Sequence, residues 1–177
     1  MKETELRLVS ELIKNSRRSD RELAKAVGVS QPTVSRNIKK LEKEGVIKEY
    51  TMIPDFSMLG YEIMALTFIS INPKLGPQEA DKARATAQEL MKEGSGNTIM
   101  LERGIGLNRT ATFISFHKNY SDYTRFMLQF KGASTTQAFV QENVESFLIN
   151  LKDEVRFRPL TLRVLADHVL GMNEEKK

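Results

Sequence analysis

Ser30–Gly45 constrains the fold more than any other stretch of the chain. Its apolar residues Val34, Ile38 and Leu41 recur at i, i+4 and i+7. That spacing makes one stripe of a helix and cannot line one face of a strand. Ser30 is an N-cap residue type, and Pro32 falls in the first turn, where a missing N–H costs little. Gly45 suits the position just past the helix end, where φ is often positive. At about 100° per residue, Arg36, Lys39, Lys40 and Lys43 point away from the stripe. Gln31, Thr33 and Ser35 flank that basic side near the N-terminus. The major groove of DNA admits a short polar helix with donors at its front end. A charged solvent face on any amphipathic helix shows the same residues, so the neighbours must decide.

Residues 3–15 read as a first helix, with Leu6, Val9 and Ile13 on one face and Leu12 beside them. Ser19 and Glu22 have capping-box spacing, which predicts a short second helix burying Leu23 and Val27. Gly28 then allows a tight turn. Short helix, glycine turn and capped basic helix make a helix-turn-helix. Val46–Met52 reads as a strand forming a wing, and Leu59-Gly60 closes a DNA-binding domain of residues 1–60.

Net charge is +4, and residues 1–60 hold 12 Lys and Arg against 9 Asp and Glu. Most of the basic excess therefore lies in the first third, in keeping with a polyanionic partner. The absence of cysteine excludes disulfides and thiolate chemistry. No apolar run approaches the roughly 18 residues of a membrane span. The first residues, Met-Lys-Glu-Thr-Glu, lack the apolar core of a signal peptide. The expectation is a cytoplasmic protein with no membrane association.

Leu23-Ala24 through Val29-Ser30, Val34-Ser35-Arg36, Leu41-Glu42-Lys43-Glu44-Gly45-Val46-Ile47, Tyr50-Thr51 and Leu59-Gly60 occur in one order without gaps. This stretch resembles the DNA-binding domain of the leucine-responsive/asparagine regulator (Lrp/AsnC) family. The resemblance implies an α+β chain: a winged helix-turn-helix followed by a ferredoxin-like βαββαβ domain of the type called RAM. The remaining residues, 61–177, fit that order. Met64–Ile71 reads as a buried strand and residues 79–93 as a helix with Ala83, Ala87, Leu90 and Met91 inward. Thr98–Glu102 and Arg109–His117 read as strands, residues 120–131 as a helix and Val144–Leu151 as a fourth strand. In the tail, Pro159 can open a helix carrying Leu162, Leu165 and Val169, while Val155 and Phe157 alternate like a strand. Asn173–Lys177 is expected to be disordered.

Gln31, Thr33 and Arg36 are the candidates for base edges, and Ser19, Ser35, Lys39 and Lys40 for phosphates, with Lys48 in the wing beside the flanking backbone. A single recognition helix reads few base pairs, so a homodimer or higher even oligomer on double-stranded DNA is expected. In the family, a glycine loop between the second and third strands builds an effector pocket. Gly104, Gly106 and Arg109 stand at that place, without the acidic residue of the family pattern. Without that carboxylate an amino-acid ammonium lacks its partner, so this departure from the family, with the always-charged fork of Arg109, points to an anionic effector instead; the alternative is a hairpin turn using glycine for positive φ. No cofactor, metal site or catalytic residue is expected. His117 and His168 lie in no metal-ligand motif. Two rivals remain: a haem-pathway decarboxylase of similar two-domain form using His117 and Arg109, and a nucleoid-like architectural DNA-binding protein.

Overall fold

The computed structural model describes residues 1–92, 97–141, 143–155 and 157–171, with side chains described outside residues 87–92. In chain order the elements are α1 (Glu3–Lys14), α2 (Asp20–Val27), α3 (Gln31–Lys43), β1 (Ile63–Ile69), α4 (Pro77–Lys92), β2 (Thr98–Gly106), β3 (Arg109–His117), α5 (Tyr120–Gly132), α6 (Ser134–Phe139), β4 (Glu145–Asn150) and α7 (Leu165–Gly171). They fall into two units. One comprises residues 1–54 with the described residues of the stretch 156–177, and the other residues 55–155.

In the first unit, local chemistry sets each helix boundary. Ser19 caps α2: its Oγ accepts from the Glu22 N–H, and the Glu22 carboxylate accepts from the Ser19 N–H at 2.8 Å. Gly28 ends α2 at φ +78°, in the left-handed region open to glycine. Ser30 caps α3, and Gly45 follows it at φ +70°. Leu8, Leu12, Leu23, Val27, Val34 and Leu41 close the core, with Ile38 and Ile47 packed on it.

Two expectations change here. Leu8, absent from the expected set, is buried in α1 together with Leu12; Val9 is half-buried and packs on the same core, and Leu6 and Ile13 are half-buried. The helix is apolar on two sides: Leu8 and Leu12 serve the three-helix core, and α7 packs on α1 as a fourth helix with Ala166 fully buried. The second change is that residues 46–52 form no strand. A strand needs a partner, and the described residues of this unit are otherwise helices and turns, so no ladder forms. Tyr50 anchors this irregular segment, its Oη donating to Glu42 Oε1 at 2.9 Å.

The second unit is a four-stranded antiparallel sheet in the order β2-β3-β1-β4. This is the ferredoxin-like βαββαβ arrangement, with α6 added between α5 and β4. Alternation along β1 and β3 puts Ala65, Thr67, Ile69, Ala111, Phe113 and Ser115 on the face covered by helices. Phe126 and Phe130 of α5 meet the Phe113 ring at 6.1 and 5.1 Å. The opposite face carries Met64, Leu66, Phe68, Ile114 and Phe147, of which Phe147 is 64% exposed. Its Phe116 end is covered by a stacked Phe56 at 4.1 Å and an edge-on Tyr61.

The tail helix starts at Leu165 and not near Pro159, and Val155 and Phe157 belong to no strand and are exposed. Within its unit β4 is an edge strand with β1 as its neighbour. The inward placements expected for Ala87, Leu90 and Met91, and the state expected for Asn173–Lys177, lie outside the described residues.

Candidate nucleic-acid interface

The buried stripe of α3 fixes which of its side chains meet solvent. With Val34 and Leu41 fully buried, Arg36, Lys39 and Lys43 are exposed, and none has an ion pair to a described residue. Gln31 is exposed in the first turn. Thr33 is half-buried, its Oγ1 2.8 Å from the Ser30 hydroxyl, and Ser35 is half-buried one residue before Arg36. These residues form one polar, basic surface along the helix.

The other candidates lie elsewhere. Lys40 is tied back to α1: its Nζ donates to Glu5 Oε1 at 2.6 Å and lies 3.7 Å from Glu44. The Lys40 ammonium, then the Lys2 N–H, hold the Glu5 carboxyl below its ordinary range, and Glu5 in turn raises the Lys40 pKa. Ser19 is occupied by the α2 capping box, which leaves its position at a helix N-terminus intact. Lys48 is exposed in the unpaired segment after α3. Two basic residues were not singled out from sequence. Arg21 and Lys25 stand i, i+4 on the exposed side of α2, opposite Leu23 and Val27, and neither has an ion pair among the described residues. Their spacing was the available signal.

In the sheet unit, β2 runs on to Gly106, beyond the expected end at Glu102, and Gly106 pairs with Arg109. The left-handed residues of the intervening turn are Leu107 (φ 51°) and Asn108 (φ 53°), and neither Gly104 nor Gly106 has a positive φ. Two successive left-handed residues are the pattern of a type I′ hairpin turn. A Cβ at Gly104 or Gly106 would meet nothing within 4 Å, so both glycines border open space. Arg109 is largely buried and paired with Glu145 at 2.9 Å.

His117 is fully buried, with Nε2 2.8 Å from Ser115 Oγ and Nδ1 3.8 Å from Asp122 Oδ2. Burial pulls its pKa down, and Asp122 opposes that. The set has the members of a hydrolytic triad, yet Ser115 and His117 are both closed to any substrate. His117 and Arg109 end opposite tips of β3, about 26 Å apart at strand rise, too far to hold one substrate carboxylate.

Residues 1–48 match the family model described as winged helix-turn-helix DNA-binding. A leucine-responsive regulatory protein of Rhizobium meliloti is 31% identical over 116 residues, spanning 63% of this chain and 74% of the relative. An uncharacterized HTH-type transcriptional regulator of Pyrococcus horikoshii, PH0061, is 28% identical over 149 residues, spanning 82% of this chain and 95% of the relative. The crystal structure of PH0061 superposes with TM-score 0.68, covering 90% of this chain and 98% of that one at 27% identity. A transcriptional regulator of Neisseria meningitidis, NMB0573, solved in complex with L-Met, shares the fold with TM-score 0.72 at 16% identity, covering 96% of this chain and 99% of that one.

Proposed function

The chain belongs to the Lrp/AsnC family of winged helix-turn-helix transcription regulators, and from that premise we propose that it reads duplex DNA as a dimer through α3. One observation carries the reading: Arg36, Lys39 and Lys43 stand exposed on α3 without an ion pair among the described residues, while Val34 and Leu41 lock the opposite side into the core. Gln31, Thr33 and Arg36 address base edges. Ser19, Ser35, Lys39, Lys48, Arg21 and Lys25 address phosphates. Lys40, neutralised by Glu5, is the weakest phosphate candidate of the set.

DNA binding is assigned to residues 1–60 and dimerisation and effector binding to the sheet-bearing part of residues 61–177, in the cytoplasm, while the tail helix α7 packs with the first unit on α1. Two observations support dimerisation. The outer sheet face is apolar, with no helix of its own unit across it among the described residues, and residues 46–52 have strand composition but join no ladder. An anionic effector would sit at the Gly104–Arg109 loop, where open space beside both glycines admits a close approach.

The test is selection of bound duplexes from a random pool, followed by affinity against salt. A recovered two-fold-related motif and a steep salt slope are expected. Salt-dependent binding without a preferred motif would favour the architectural reading. No binding to any duplex would reject both.

A further inference from the structure

A fully buried carboxylate on α1 reaches the helix that bears the basic surface. Glu5 is 3% exposed. Its Oε2 accepts from the Lys2 N–H at 2.7 Å, closing the start of α1. Its Oε1 accepts from Lys40 Nζ at 2.6 Å. Among the described residues this is the one ion pair that joins α1 to α3.

The rest of that core is apolar, through Leu8, Leu12, Val34 and Leu41. The apolar stripe sets which side of α3 faces solvent, but apolar burial is non-directional and leaves the finer angle of the helix to directional contacts. A charge-assisted hydrogen bond to a carboxylate anchored at its other oxygen is directional. Lys40 lies one turn beyond Arg36 on the same helix. The roll that Lys40 fixes is therefore the angle at which Arg36 is presented.

We propose that Glu5 and Lys40 are positioning residues for DNA reading: they set the roll of α3 and touch no DNA themselves. The inference rests on α3 being the reading helix. Two features of the pair distinguish it from a surface bridge. The carboxylate is buried, although the Lys40 side chain is 45% exposed, so the pair is screened less than a fully exposed one. It is also held on α1 by the Lys2 N–H, so the anchor does not move with α3.

The test uses the full chain and a duplex selected by the wild type. Affinity is measured for that duplex and its single-base variants, across salt, for E5Q, K40M, K40R, E5Q/K40M and K39M. Discrimination among bases should narrow roughly tenfold in E5Q and in K40M. The double variant should be no worse than the worse single one, and K40R should retain discrimination. The salt slope should stay at the wild-type value in E5Q and K40M, and fall by about 1.8 in K39M, which loses one phosphate contact of about 0.9 in each protomer of the dimer. Should K40M fail to fold, E5Q and K40R carry the comparison.

A second reading needs no DNA. The amide resonances of α3 between Arg36 and Leu41 should shift in E5Q and K40M of the free protein. A K40M slope reduced by about 1.8, one phosphate contact of about 0.9 in each protomer, with discrimination intact in E5Q, would make Lys40 a phosphate contact and overturn the proposal. Unshifted α3 resonances would overturn it as well. A wild type that selects no duplex would instead reject the reading of α3, with the resonances still deciding the positioning claim.

Discussion

Arg109 is committed to Glu145: Nη2 lies 2.9 Å from Oε1, across the central strand β1 that β3 and β4 flank. The Arg109 side chain is 9% exposed, and its buried Nε meets no acceptor among the described residues. An anionic ligand at the Gly104–Arg109 loop must therefore displace Glu145 or use the remaining donor. E145Q is expected to bind such a ligand more tightly and R109A to lose it. Thermal shifts across amino acids, keto acids and nucleotides, each variant against its own ligand-free value, check this. A ligand that stabilises all three proteins equally would remove Arg109 from the site.

His117 gives the sheet unit an acid-sensitive core. Its ring lies against Tyr123 and Phe126, bonds Ser115 and Asn97, and among the described residues faces one charged group, Asp122. Burial depresses its folded pKa below 6.5. Above that value both folded and unfolded states are neutral. As pH falls through it the unfolded chain takes the proton first, so stability drops until the lower folded pKa is reached. Melting temperature should fall between pH 7 and 5 in the wild type and less in H117Q. An identical fall in both would exclude His117 as the cause. Glu5 acts at lower pH: its depressed pKa gives stability that is present above 4.5 and lost as pH drops through the folded value.

Phe147 tests the sheet face. It stands opposite Leu66 and is exposed in the single chain. F147E should shift full-length protein toward monomer in sedimentation velocity while leaving the melting of dilute monomer nearly unchanged. A dimer of undiminished strength would place the interface elsewhere.

Much of the fold was legible because it is local. The Ser19–Glu22 box, the Ser30 cap and the left-handed Gly28 and Gly45 all follow from residue type and spacing. What was not legible depended on tertiary partners. Spacing put Leu6, Val9 and Ile13 on one face of α1 but missed the buried Leu8, and α7, more than 150 residues later, was not foreseen as a neighbour of this helix. Val46–Met52 has strand composition but no partner in its unit. The β2–β3 turn bends at Leu107 and Asn108 beside glycines that suggested the wrong positions. At the interface, the basic side of α3 was readable from periodicity, whereas the capture of Lys40 by Glu5 depends on two residues 35 apart.

The three-helix core should tolerate truncation poorly. L41A removes a side chain with no exposed surface, packed among Leu8 and Val34, and should cost about 2–5 kcal/mol in denaturant unfolding. G28A meets no steric neighbour, yet its φ of +78° should cost roughly 1–2 kcal/mol. A neutral L41A would mean that this core relaxes to fill the cavity.

The most direct measurement is the affinity of full-length R36A for the duplex selected by the wild type, at fixed salt and across single-base variants. Arg36 is exposed at the middle of α3, opposite the buried Val34 and Leu41. If α3 reads the major groove, R36A should lose roughly 1–3 kcal/mol and relax discrimination at one base pair of each half-site. Unchanged affinity together with unchanged discrimination would contradict the assignment of α3 as the helix that reads DNA.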